Sequence, residues 1–158
     1  MLKREALEIL ELGDDKELLA VSARVYDICE YLIALHARGE LATDFAPLPE
    51  TVTYHAPCQQ QGHGIGKPAL ELMALIPDLK VVESTASCCG IAGTYGLKRE
   101  KYGIAMDVGA GLFRQVAENN SDLVACDSET CRWQIQGATG VRSVHPVEML
   151  YRATRWST

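Results

Sequence analysis

No apolar run in this sequence approaches the roughly 18 residues that a membrane-spanning helix needs, so a spanning segment is not expected. The start, Met1-Leu2-Lys3-Arg4-Glu5-Ala6, runs into an acidic helix-like pattern and lacks the apolar centre of a secretory signal. Positive charge is also short: fifteen Lys and Arg face twenty-one Asp and Glu, a net charge of -6. No basic stripe is present, which argues against nucleic acid as a partner. Internal repeats and low-complexity tracts are missing too. The hydrophobic fraction of 47% belongs to a folded globular chain and excludes wholesale disorder. A length of 158 residues fits one ordinary domain with a helical extension.

What the sequence does have is cysteine, six of them. Secreted disulfide scaffolds are usually shorter and richer in cysteine, so the expectation is an intracellular chain with reduced thiols. Six reduced cysteines then point to metal binding, redox chemistry or small buried hydrophobes.

Residue patterns place them. Leu2, Ala6, Ile9 and Leu10 recur at helical spacing, and Asp15 is a candidate cap after the Gly13-Asp14-Asp15 break. From Lys16 to about Ala37 a single helix is expected, with Leu18, Leu19, Val21, Val25, Ile28, Cys29, Leu32 and Ile33 on one stripe. A proline-bearing connector around Pro47 and Pro49 separates this helical segment, residues 1–46, from the main domain, residues 47–158. Thr51 to His55, Lys80 to Glu83, Asp122 to Ala125 and Val141 to Val144 read as strands. A glycine-rich turn follows the first strand. Helices are expected from about Pro68 to Leu75, Leu97 to Asn119, Glu129 to Gln136 and Pro146 to Arg152. Strands alternating with helices predict an α/β fold with a mainly parallel sheet of about four or five strands and flanking helices.

On that reading, Cys58, Cys88, Cys89, Cys126 and Cys131 all fall just past strands or at the start of the following helix. The carboxyl edge of an open parallel sheet is where ligands bind. Thiolates suit zinc, copper(I) or iron–sulfur clusters, and a cluster usually takes four of them. Adjacent Cys88 and Cys89 suit neighbouring irons better than one tetrahedral zinc. Glycines in the Cys88-Cys89-Gly90-Ile91-Ala92-Gly93-Thr94-Tyr95-Gly96 loop, Gly90 and Gly93 among them, would let backbone N–H groups approach sulfur. Cys29, on the apolar stripe, reads as core packing. Cys126 reads either as a ligand or as a buried strand-end residue. His55 reads as a donor behind the ligands or as a structural histidine, and His145 and His63 mainly as structural residues. Trp133 and Tyr95 would either shield a cluster or pack in the core. Gly62 to Lys67 lacks phosphate-loop spacing, and Pro68 stands where that loop needs Ser or Thr.

Three stretches resemble the cysteine-rich CCG domain family: Tyr54-His55-Ala56-Pro57-Cys58, Cys88 to Gly96, and Glu129-Thr130-Cys131-Arg132-Trp133-Gln134-Ile135. The resemblance runs from about residue 20 to about 150. Related proteins include the CCG-bearing subunit of heterodisulfide reductases and that of anaerobic glycerol-3-phosphate dehydrogenases; the chain resembles the latter branch most. The resemblance implies a [4Fe-4S]-type cluster, noncubane in heterodisulfide reductases, with Cys58, Cys88, Cys89 and Cys131 as ligands. It also implies an electron-transfer role between a flavin dehydrogenase subunit and a quinone-linked or membrane-anchored subunit. The location it implies is the cytoplasm, or the inner face of the cell membrane.

Two departures stand out. The family's last motif usually reads Asp-Cys-Glu-Thr-Cys, whereas Asp127-Ser128-Glu129-Thr130-Cys131 has serine at the first cysteine. Cys126 can supply the missing thiolate, Ser128 can act as a weak oxygen ligand, or the site can work with one thiolate fewer; Cys126 is the favoured reading. The ferredoxin-like cysteine runs of full-length relatives are also missing, which suggests a C-terminal portion or a stand-alone relative. Outside the resemblance, a thiolate zinc site and a metal-free thiol–disulfide module remain the alternatives.

Overall fold

A computed structural model describes residues 3, 5–10 and 12–154. Its elements in chain order are α1 (Glu5–Glu8), α2 (Lys16–Ser22), α3 (Ile28–Ala37), β1 (Thr51–Tyr54), α4 (Cys58–His63), α5 (Pro68–Met73), β2 (Lys80–Glu83), α6 (Tyr102–Glu118), β3 (Leu123–Ala125), α7 (Glu129–Thr139), β4 (Ser143–Val144) and α8 (Pro146–Ala153). The four strands form one all-parallel sheet in the order β2-β1-β3-β4. The expected α/β class and strand set are therefore present. Leu2 of the first expected helix lies outside the described residues.

Alternation along the strands divides the apolar residues between two faces. Val52 and Tyr54 of β1, with Leu123 and Ala125 of β3, join a core that includes Cys29 of α3, Leu72 and Met73 of α5, and Met149 and Leu150 of α8. Val124 and Cys126 join the opposite core with Leu112 and Val116 of α6 and Ile135 of α7. Helices thus cover both faces, as a buried parallel sheet requires. On the second face Thr53 is buried but satisfied: its hydroxyl pairs with the Ser121 hydroxyl at 2.6 Å and accepts from Asn119 at 2.9 Å.

The chain runs from β1 outward to β2, then crosses back to place β3 on the other side of β1. The crevice at the carboxyl ends of β1 and β3 is the topological switch point. Segments that follow β1, β2 and β3 all arrive there.

Two expectations need correction. The single helix expected from Lys16 to Ala37 is two helices, α2 and α3. Asp27 is the reason: its carboxylate accepts from the Cys29 and Glu30 amides, and Glu30 accepts from the Asp27 amide in return, forming a capping box that starts a new helix. The apparent stripe crosses this break, so Leu19, Val21 and Ile28 lie at the surface. The expected glycine-rich turn after β1 instead begins as helix α4, which ends where Gly64 adopts φ of 68°.

The loop after β2 docks on α6 through missing side chains. A Cβ on Gly90 (φ 90°) would lie 1.9 Å from the Ala105 carbonyl oxygen, and one on Gly109 would lie 2.4 Å from the Cys89 carbonyl oxygen. Gly93 also has positive φ, 64°, but open space around it. Gly90→Ala is therefore expected to cost more than about 2 kcal/mol, adding a backbone collision to the left-handed penalty. Gly93→Ala, with the dihedral penalty alone, should cost roughly 1–2 kcal/mol. Urea unfolding of both variants checks the difference; equal losses would contradict the docking account.

Candidate metal centre

The five cysteines expected at the carboxyl edge are there. Cys58 opens α4 directly after β1, Cys88 and Cys89 lie in the loop after β2, Cys126 follows β3, and Cys131 lies in the first turn of α7. All are free thiols; Cys89, Cys126 and Cys131 are buried, Cys88 is half-buried and Cys58 is exposed. Cys89, Cys126 and Cys131 share one buried core, and the sulfurs of Cys89 and Cys131 lie within 4.8 Å of one another. The Gly90 amide donates to Cys88 Sγ at 3.2 Å.

These contacts divide the charge unequally. The neighbouring thiols of Cys126, then of Cys89, pull the Cys131 thiol well below its ordinary value. The neighbouring Cys131, together with burial, pushes Cys89 and Cys126 up. The position of Cys131 in the first turn of α7 also favours its thiolate. Burial raises Cys58, with the neighbouring Cys88 adding to the effect.

His55 lies immediately beyond Tyr54 of β1 and is fully buried. Burial holds its imidazole below the usual value, hence neutral, although Cys131 opposes this. Neither ring nitrogen has a hydrogen-bond partner. A buried polar group left this way ordinarily costs on the order of 1–3 kcal/mol. One nitrogen of His55 and the sulfurs of Cys89 and Cys131 lie within 4.8 Å of one another. Ser128 caps no backbone amide at the start of α7; its hydroxyl lies 3.2 Å from that of Thr130.

Cys29 stands apart in the other core. Its Sγ lies 3.6 Å from Asp127 Oδ1, and burial followed by the Asp127 charge pushes its thiol far up. His145 has a structural task, since its Nδ1 accepts from the Val147 amide at 3.2 Å and caps α8. His63 lies at the end of α4, 3.8 Å from Glu5. Trp133 and Tyr95 are 57% and 41% exposed, so neither packs in the core.

Sequence reasoning missed one polar group beside the centre. The buried Tyr54 hydroxyl donates to Asp127 Oδ2 at 2.8 Å and lies 3.1 Å from Gln60 Oε1. Asp127 also borders a cavity of about 290 Å³, with Tyr26, Asp27, Pro57 and Gln60 among its walls. The available signal was its place in the last motif, between Cys126 and Ser128.

The profile of the cysteine-rich domain named CCG matches residues 52–136, which carry all five clustered cysteines. The chain belongs to the CCG family. Over 107 residues, 68% of this chain and 27% of the relative, this CCG chain is 47% identical to the C subunit of anaerobic glycerol-3-phosphate dehydrogenase of Escherichia coli. It is 29% identical over 149 residues, 86% of the chain and 30% of the relative, to an uncharacterized iron–sulfur protein of Methanocaldococcus jannaschii. It is also 29% identical over 92 residues, 54% of the chain and 22% of the relative, to the D subunit of dihydromethanophenazine:CoB–CoM heterodisulfide reductase of Methanosarcina barkeri. The chain thus spans between a fifth and a third of the length of these relatives. No solved structure matches it significantly.

The donor set of this CCG domain fits a soft metal centre. Three of its thiols share a buried core, and a buried imidazole beside them lacks a partner. In the metal-free protein at neutral pH, iodoacetamide is expected to modify exposed Cys58 first, with Cys29 and Cys126 protected until unfolding. Peptide mass spectrometry reads the order; early modification of Cys29 would contradict the separation of the two cores.

Proposed function

We propose that this CCG domain holds a [4Fe-4S]-type cluster and serves as an electron-transfer element of a glycerol-3-phosphate dehydrogenase-like respiratory complex. Electrons would come from a flavin subunit and leave toward quinone. The observation that carries the reading is the convergence of five thiols, from the three stretches of chain that follow β1, β2 and β3, on one sheet edge. The printed descriptions of relatives, an iron–sulfur protein and subunits of two oxidoreductases, support it. When bound, the cluster supplies a one-electron carrier.

The chain's own residues would have distinct tasks. Cys58, Cys88, Cys89, Cys126 and Cys131 form the ligand pool. Cys126 takes the place of the thiolate missing at Ser128, a choice supported by its burial in one core with Cys89 and Cys131. The Gly90 amide lowers electron density on Cys88 sulfur, which favours the reduced state. The left-handed turn at Gly93 shapes the loop around Cys88 and Cys89. Helices α6 and α7, with the sheet, keep water from the buried thiols. The segment up to residue 46 supplies packing helices, and residues 47–158 carry the centre. No helix among the described residues is long and apolar enough to cross a membrane; in the proposed complex, a quinone-linked or membrane-anchored subunit receives the electrons.

A zinc site is the second reading, favoured by the His55, Cys89 and Cys131 grouping. Anaerobic purification with iron, zinc and acid-labile sulfide analysis separates the two. The expected result is a brown protein with iron and sulfide in about equal amounts and little zinc. Cys89→Ser should lose essentially all of the iron, and Cys126→Ala most of it, while Cys29→Ser and Ser128→Ala keep it. A colourless protein with one zinc per chain, or full iron in Cys89→Ser, would overturn the assignment.

A further inference from the structure

We propose that His55 is a direct nitrogen ligand of the centre, which is therefore a mixed thiolate–imidazole site. The inference rests on the cluster reading above and adds a donor to it. Strand geometry aims the side chain. Tyr54 faces the α3, α5 and α8 core, so its neighbour His55 faces the α6 and α7 layer with Thr53. Tyr54 pairs with Ala125, and the His55 amide continues the ladder to the Ala125 carbonyl at 2.9 Å. The next residue of each strand then lies side by side on the same face, and those residues are His55 and Cys126.

At that position the protein alone gives the ring nothing to bond. His55 is fully buried, and both of its nitrogens lack partners. The other two histidines near the edge have evident tasks or solvent access: His145 caps α8, and His63 lies partly exposed beside Glu5. Its neighbours on this face include the thiols of Cys89 and Cys131, neither of which bonds to the ring. Yet the His55, Cys89 and Cys131 donor atoms lie within 4.8 Å of one another. Bonds of about 2.0 Å to nitrogen and 2.3 Å to sulfur set donors around a single ion at roughly 3.5–4 Å, so a small adjustment closes the set. Ligation uses the imidazole lone pair, so it satisfies one of the two orphaned nitrogens. A neutral donor adds no negative charge, so the centre is less negative, and its potential higher, than with a thiolate at that position, as in other clusters with histidine ligands.

Pulsed electron–nuclear double resonance on the chain labelled with ¹⁵N-histidine, reconstituted anaerobically and poised in a paramagnetic state, tests the proposal. The expected spectrum contains one strongly coupled nitrogen. His55→Cys should keep iron and sulfide, lose that coupling and titrate at a lower potential. In His55→Ala, added ¹⁵N-imidazole should restore the coupling. Full iron and sulfide with only weak nitrogen coupling in the unmutated protein would overturn the ligand role and leave the cluster reading standing. Failure of the unmutated protein to take up iron and sulfide would overturn both. The unmutated spectrum decides the question even if a His55 variant does not fold.

Discussion

The candidate centre depends on the parallel pairing of β1 with β3 across the switch point. Three registered pairs, Val52 with Leu123, Thr53 with Val124 and Tyr54 with Ala125, fix the two strands. That register determines which residues emerge together at the carboxyl edge. It places His55 beside Cys126 and starts the segments leading to Cys58 and Cys131 from adjacent positions. A one-residue slip would turn His55 or Cys126 to the opposite core. The two faces hold the register because their contents differ: Tyr54 and Ala125 belong to one core, Val124 and Cys126 to the other.

The second constraint is close approach without side chains. The loop carrying Cys88 and Cys89 can reach the edge only by lying against α6, and Gly90 and Gly109 remove the atoms that would prevent this. Once buried, the thiols alter one another. The Cys131 thiol is pulled down while those of Cys89 and Cys126 are pushed up. Binding a metal to buried thiols releases protons, so assembly is coupled to pH and to folding.

Much of this is legible in the sequence because it follows from local patterns. Short β-branched runs alternating with helices imply the sheet, and the offsets of cysteines from strand ends place five of them on one edge. The break within residues 16–37 is hidden because apolar spacing continues across the Asp27 cap; periodicity is blind to a capping box that satisfies helical positions on both sides. Helix α4 is masked by Gly62 and Gly64, the latter being its left-handed end. The contrast between Cys29 and Cys126 depends on tertiary structure: both are fully buried, but one meets Asp127 and the other shares the opposite core with Cys89 and Cys131. The orphaned nitrogens of His55 are likewise out of reach, since an absent partner becomes evident only when every neighbour is placed.

The central claim is that one metal centre occupies the edge where β1 and β3 end. A crystal structure of the anaerobically purified protein, with anomalous scattering recorded at the iron edge, tests it most directly. The account predicts a single compact anomalous feature bounded by Cys58, Cys88, Cys89, Cys126, Cys131 and His55, with Cys29 outside it. Iron bound elsewhere, or these cysteines joined in disulfides around an edge with no anomalous signal, would contradict the account.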